Sequence, residues 1–409
     1  MTATITPSRA GVWRRLLHQF LTQYVKHGAL HLAFPDGTTE TYGEADIPPL
    51  HLRLSDPATI RKLVFSPEMA AGEAYMDGTL TIEDDNLHRF FEILLQNRHD
   101  RPGWLLNTNL AVRQLRRRVD QHNPLGKAQD NVAHHYDLDG GLYDLFLDED
   151  RQYSCAYFPR RDMTLEAAQE AKKTLIGRKL CLSPDQTVLD IGCGWGGMAM
   201  TLARDFGVKV LGVTLSREQH DLANRRIAEA GLSDRIKIRL TDYREVTGQF
   251  DRIVSVGMFE HVGAPHYPEF FGKVADLLTE DGVALIHFIG TSAPPSSTSP
   301  WVAKYIFPGG YIPSLSEVFR PLEKSGLWCD DMEVWRLHYA YTLRHWFDRF
   351  SARRDEAVAL YDERFYRMWR YYLASSEMAF RDGLMAIYQI QLSRQPDAVP
   401  LTRDYLYRD

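Results

Sequence analysis

Cysteine is scarce in this chain: Cys155, Cys181, Cys193 and Cys329 are all it has in 409 residues. Four scattered thiols exclude a disulfide framework and a zinc knuckle, and they fit a reducing cytoplasm. Long apolar runs are missing too. None reaches the roughly 18 residues that a membrane-spanning helix needs, and the N-terminus lacks the continuous apolar core of a secretion signal. There is no excess of positive charge. The formal net charge is −6, which speaks against a nucleic-acid partner. Internal repeats are absent, and the one low-complexity stretch, Ser292–Pro300, reads as a mobile loop. What remains, 44% hydrophobic and 25% charged residues, is the composition of a globular chain long enough for two or three domains and a sizeable core.

The most informative stretch that is present runs from Val188 to Gly197. An apolar β-branched run leads to Asp190, a glycine turn (Gly192, Gly194, Gly196, Gly197) follows, and a helical pattern begins at Met198. Strand, tight turn and helix start suit a ligand that approaches the backbone closely. Glycines alone do not choose between a dinucleotide and S-adenosylmethionine. The next strand, Val208–Val213, ends in Thr214-Leu215-Ser216-Arg217-Glu218-Gln219 and has no carboxylate at its tip, whereas a dinucleotide site carries one there for the ribose. Asp190 stands where a methionine ammonium could sit. Together these favour S-adenosylmethionine over a nicotinamide cofactor.

Regular β/α alternation starts near residue 165: helix 165–180, strand 187–191, strand 208–213, helix 217–230, strands 236–240 and 251–256, helix 268–278 and strand 282–289. This predicts a doubly wound parallel sheet with its ligand at the carboxyl ends of the strands. Residues 301–380, dense in aromatics and helix formers, read as a cover. Residues 1–120 read as a small α+β domain ahead of a catalytic domain at 121–409. Its first helix has Trp13, Leu16, Leu17, Phe20, Leu21, Tyr24 and Val25 at helical spacing, which suits packing on its own domain or lying on a membrane surface. Arg113 and Arg116–Arg118 form a basic stretch that suits solvent or anionic headgroups.

Polar residues gather at the predicted strand ends. HHYD (134–137), YSCAYF (153–158), LDIGCGWGG (189–197), GVTLSREQ (212–219), FEHVG (259–263), KYIFPGG (304–310) and HYAYTL (338–343) appear in this order. In these blocks the chain closely resembles the cyclopropane fatty acyl phospholipid synthases and their mycolic-acid relatives, over about residues 130–390. The N-terminal unit is similar to the longer bacterial members, in which a small domain helps dock lipid. The resemblance implies a class I methyltransferase fold and transfer of a methyl from S-adenosylmethionine to a cis double bond in an unsaturated phospholipid acyl chain. The alkene is a weak nucleophile, so charge builds on carbon. Such chemistry demands exclusion of water and favours aromatic faces.

The resemblance also implies a bound bicarbonate as base, cradled by Cys155 and Ile289 through backbone groups and by Glu260, His287 and Tyr339. Around the cofactor it places Tyr153, Ser154, Gly192, Gly194, Thr214, Gln219, Tyr243 and Arg244, with Asp190 read from the strand end and Asp242 reaching for the adenine amine. Taken singly, Cys155 suits a small buried hydrophobe, His287 a satisfied core histidine, and Glu260 a cap or ion pair. His134, His135 and Asp137 lack the second cluster that a metal site needs, so no metal is expected. The family further implies a homodimer at the inner face of the cytoplasmic membrane. Competing readings are a lipid C-methyltransferase that stops at a branched or methylene product, a lipid-binding protein that has lost activity, and a nicotinamide oxidoreductase.

Overall fold

The computed structural model describes the backbone of residues 9–98 and 140–407. The basic stretch at 113–118 and the HHYD block lie outside these residues. The N-terminal unit is built on a four-stranded sheet in the order β2-β1-β3-β4, from β1 (Ala29–Ala33), β2 (Thr39–Gly43), β3 (Leu50–Leu54) and β4 (Leu80–Ile82). In β3 the leucines alternate with His51 and Arg53, so one face is buried and the other is solvated. Helices Arg9–Tyr24, Pro57–Phe65, Pro67–Met76 and Leu87–Gln96 cover the apolar face. Asp56 caps the second of them by accepting from the Ala58 N–H, and Asn86 caps the fourth through Arg89.

The second unit is organised on a seven-stranded sheet in the order β10-β11-β9-β8-β5-β6-β7. Its strands are β5 (Thr187–Ile191), β6 (Lys209–Thr214), β7 (Ile236–Leu240), β8 (Phe250–Val256), β9 (Leu278–Thr291), β10 (Trp328–Trp335) and β11 (Met385–Ser393). Strands β5 to β9 pair in parallel. The inner strands such as β5 and β9 are apolar through most of their length because helices cover both faces, while the edge strand β7 alternates buried isoleucines with exposed Lys237 and Arg239. The expected all-parallel sheet needs one correction. β11 runs antiparallel to β9, and β10 antiparallel to β11. Strand β10 comes from a segment read as helical cover. The register places Gln389 directly opposite His287. The remaining cover consists of helices Pro300–Tyr305, Leu315–Leu322, His338–Ala352, Arg354–Leu360 and Glu363–Arg381.

One hydrophobic cluster runs through both units, from Leu17, Leu52 and Phe90 to Trp301, Trp346 and Trp369. The first helix therefore packs inward, with Leu17 buried and the Tyr24 hydroxyl donating to the Leu94 carbonyl at 2.6 Å. Polar contacts fasten the same seam. His88 meets the buried Glu377 carboxylate at 2.9 Å, which also receives Arg344 and Arg381. Arg98 pairs with Asp382. Gly72 permits the closest approach: a Cβ there would collide with the Trp301 indole, whose Nε1 donates to the Met76 sulfur at 3.3 Å.

Candidate active site

Two cavities meet at the carboxyl ends of β5, β6, β8 and β9. The first, about 150 Å³, lies over the glycine turn. At its floor the chain leaves β5 through Gly192 (φ +80°) and Gly194 (φ +54°), a left-handed backbone that favours glycine. A Cβ on Gly192 would press on the Met258 side chain at 2.9 Å, while one on Gly194 would stand in open space. The helix that follows begins at Gly197. Across the cavity, Ser216 caps the Arg217–Glu229 helix by accepting from the Gln219 N–H, and the Gln219 side chain is held by the Thr214 hydroxyl at 2.8 Å.

All ten residues expected around the cofactor line this cavity: Tyr153, Ser154, Asp190, Gly192, Gly194, Thr214, Gln219, Asp242, Tyr243 and Arg244. Two of them are arranged as the sequence did not foretell. Both carboxylate oxygens of Asp242 are engaged by the Arg244 guanidinium at 2.8 Å, and one also caps the Arg244 N–H. Asp242 thus orients its neighbour and keeps acceptor capacity on Oδ2 for a further donor. Asp190 is buried, and its Oδ2 has no hydrogen-bond partner. Burial raises this carboxyl to about 7, against a pull from the Lys172 ammonium.

The second cavity, about 90 Å³, is lined by all five residues expected around the base: Cys155, Glu260, His287, Ile289 and Tyr339. The lining of both cavities includes Tyr153, Ser154, Gly257 and His261. A group carried in the first can therefore face a substrate in the second across these four residues. Glu260 accepts the Ile289 N–H on Oε1 at 2.7 Å, which fixes the carboxyl plane. Its Oε2 is buried without a partner, and burial lifts the group to about 7. Of the Ile289 backbone groups, the N–H is thus engaged by Glu260. The Cys155 thiol is fully buried, pushed up by burial, and donates to the Ala156 carbonyl at 3.3 Å. It is no nucleophile.

Comparison with known proteins shows the family of the chain. Residues 124–390 match the family model described as mycolic acid cyclopropane synthetase, and residues 16–100 match a domain of unknown function. The cyclopropane-fatty-acyl-phospholipid synthase of Escherichia coli is 38% identical over 85% of this chain and 88% of its own. A tuberculostearic acid methyltransferase of Mycobacterium tuberculosis is 35% identical over 96% of this chain and 93% of its own. The solved structure of mycolic acid cyclopropane synthase CmaA1, complexed with SAH and CTAB, superposes with a TM-score of 0.63 at 35% identity, covering 67% of this chain and 99% of that one. The chain belongs to the mycolic acid cyclopropane synthetase family. It is an S-adenosylmethionine-dependent methyltransferase of the cyclopropane-fatty-acyl-phospholipid synthase type.

The residues present fit S-adenosylmethionine. A buried carboxylate oxygen without a partner suits the methionyl ammonium, and the open space over Gly194 admits a ligand against the backbone. The cyclopropane synthetase framework is braced by groups that sequence reasoning passed over. Lys172 is fully buried, yet its ammonium donates to Gln152 Oε1 at 2.6 Å and Ser154 Oγ at 2.9 Å. Burial lowers it to about 8, opposed by the nearby Asp148 carboxyl. Gln169 donates to the carbonyls of Gln152 and Ser154. These two helical side chains pin the 152–154 segment between the cavities, while Thr342 and His338 accept the N–H groups of Ala156 and Phe158 on the other side.

His287 has a brace of its own. Lys179 donates to Gln389 Oε1 at 2.7 Å, so the amide must turn its Nε2 toward His287 Nδ1, 3.0 Å away. Nδ1 is then an acceptor, and the proton sits on Nε2. Burial and the nearby lysines hold the ring neutral, well below the ordinary histidine range. Gln169, Lys172 and Lys179 in the helical pattern, Gln389 in an apolar strand, and His338 and Thr342 in the 338–343 block were the signals of these braces.

Proposed function

We propose that the enzyme transfers the methyl of S-adenosylmethionine to a cis double bond of an unsaturated phospholipid acyl chain and closes the product to a cyclopropane ring with the help of bicarbonate. The observation that carries this reading is Glu260: a buried carboxylate with one oxygen fixed and one unpartnered, in a cavity that adjoins the cofactor's across Tyr153, Ser154, Gly257 and His261. When bound, bicarbonate supplies the base that takes the proton released as the ring closes.

The chain's own groups suit that chemistry. Glu260 Oε2 can accept a hydrogen bond from a small oxyacid, and the neutral His287 can donate from Nε2. A group at about 7 can also accept and return a proton near neutrality. Tyr153, Phe307, Tyr311, Tyr339 and Tyr372 line the cavity, exclude water and offer ring faces to the positive charge that develops on the acyl carbons. The Tyr153 and Tyr372 hydroxyls lie 3.1 Å apart and hold the two rings in register.

A second reading draws on the tuberculostearic acid methyltransferase, a relative across nearly the whole chain: methyl transfer without ring closure. Purified enzyme given S-adenosylmethionine with a heavy-isotope methyl and unsaturated phospholipid vesicles separates the two. Cyclopropane methylene signals in the labelled chains support ring closure. Olefinic or branched-methyl signals support the second reading, and absence of label overturns both.

Residues 1–120 serve in this proposal as the lipid-docking unit, and 121–409 as the catalytic unit. No helix among the described residues is long and apolar enough to cross a membrane. The exposed Phe65, its ring tilted against Trp13 at a centroid distance of 5.1 Å, offers a peripheral contact to the inner face of the cytoplasmic membrane. The functional form on that surface is a homodimer.

A further inference from the structure

A third and larger cavity, about 370 Å³, lies between the two units. Its walls come from the N-terminal unit (Phe20, Leu52, Ala71 and Phe91 among them) and from the catalytic cover, including Trp301, Val302, Tyr371, Ala379 and Met385. Few of the lining residues carry charge: Glu68 and Arg98, the latter paired with Asp382. Its size is that of a ligand pocket rather than a packing defect.

Its position relative to the Glu260 cavity gives it meaning. Val302 lines both. Around it, adjacent residues divide between the two: Thr298 and Tyr372 face the Glu260 cavity, Ser299 and Tyr371 the interdomain one. The partition is about one side chain thick, and the short helix Pro300–Tyr305 forms much of it. The Glu260 cavity has room for the reacting part of a long hydrocarbon and little more. We infer that the interdomain cavity receives the tail of the substrate acyl chain beyond its double bond, passing beside Val302, so that the N-terminal unit forms part of the substrate site. This rests on the acyl-chain reading above. An apolar cavity of this size, separated from the reacting centre by a thin wall that includes Val302, suits a flexible hydrocarbon and offers little to a polar ligand.

Two measurements on the full chain test it. Vesicles of phosphatidylglycerol whose unsaturated chain carries a diazirine at its methyl end are irradiated with the enzyme and S-adenosylhomocysteine, and labelled peptides are mapped by mass spectrometry. Labels on the N-terminal lining, such as Phe20, Leu52 or Phe91, support the proposal. Labels confined to the Glu260 cavity or the exposed surface overturn it. This readout needs no turnover. Cross-linking into the cavity without methyl transfer by the wild type would sink the proposed reaction and leave the cavity assignment standing; transfer without such labels would do the reverse.

The second measurement uses Ala71→Trp, which fills the cavity from the N-terminal side. For lipids with a long tail beyond the double bond, kcat/KM should fall roughly tenfold or more; for lipids with a short tail it should stay within about twofold. Unchanged S-adenosylhomocysteine binding by calorimetry shows that the variant is folded. Equal losses for both lipids, or no loss for either, overturn the proposal.

Discussion

The cofactor cavity takes its walls from residues 151–262, whereas the interdomain cavity draws on residues from 17 to 385. The first is made of strand ends, glycine turns and polar side chains. The second is made mainly of aliphatic and aromatic side chains, with Glu68, Arg98 and three serines among them. One is specified by short-range chemistry: Asp190, the turn after it and the capped helix at Ser216 would bind a ligand much as they stand on any sheet of this kind. The other exists only when two units pack together, and its shape depends on contacts such as Gly72 against Trp301. A charged, chemically uniform cofactor rewards the first plan, and a flexible hydrocarbon the second.

Four changes test that contrast. The largest effect is expected from Glu260→Gln, which touches the reacting end and leaves the cofactor walls intact. Turnover should fall by about 10²- to 10⁴-fold with S-adenosylhomocysteine affinity unchanged; ring formation near the wild-type rate would remove the role given to Glu260. Asp190→Asn should instead weaken S-adenosylmethionine binding by about 10- to 100-fold.

The same carboxyl predicts a pH dependence. It stands at about 7 in the ligand-free protein, and only its ionised form pairs with an ammonium. Affinity should therefore be level above pH 7 and fall by up to about tenfold per unit below it. The Asp190→Asn variant should lose that slope. A wild-type profile that is flat from pH 5.5 to 8, read by calorimetry, would show that Asp190 does not meet the ammonium.

Gln389→Leu should cost roughly tenfold in kcat by freeing His287 to place its proton on Nδ1, with cofactor affinity unmoved. A loss of cofactor affinity in place of kcat would reveal a structural defect. The smallest change in rate belongs to Gly72→Ala. It forces Trp301 from its seat and should lower stability by about 1–3 kcal/mol, seen as a lower Tm, while transfer at permissive temperature stays within about twofold. An unchanged Tm would mean that the seam between the units is softer than the packing implies.

The contrast also explains what could be read in advance. Strands β5 to β9 announce themselves because each is a short apolar run bounded by turn residues, and Gly192 and Gly194 mark the turn by the backbone they allow. Most of the fifteen site residues fall at or just beyond the ends of such elements, while Tyr153, Ser154 and Cys155 lie in an irregular segment and Tyr339 in the first turn of a helix; the structure brings them to two adjoining cavities. Strand β10 was hidden because Trp328–Trp335 is exposed or half-buried at all but its last residue and mixes acids with large apolar residues, so no alternation shows. Lys172 and Lys173 look like a solvated helical face, yet both are buried, because the 148–154 segment folds over them with Asp150, Gln152 and Ser154 as partners. Gln389 is invisible for a related reason: its partner His287 is more than a hundred residues away, and only the pairing of β11 with β9 joins them.

That pairing makes the last strand a ruler. Side chains along β11 point alternately to the two faces of the sheet, so the residue that reaches His287 is decided by counting from the turn at Gly383 (φ +76°). Removing one residue between Gly383 and Met385 would shift the count by one and bring Ile390 to the place of Gln389. Every side chain of the strand would change face, and a hydrocarbon would replace the amide that decides where the His287 proton sits. The length of a loop near the end of the chain thus sets the protonation pattern of a site assembled mainly from its middle.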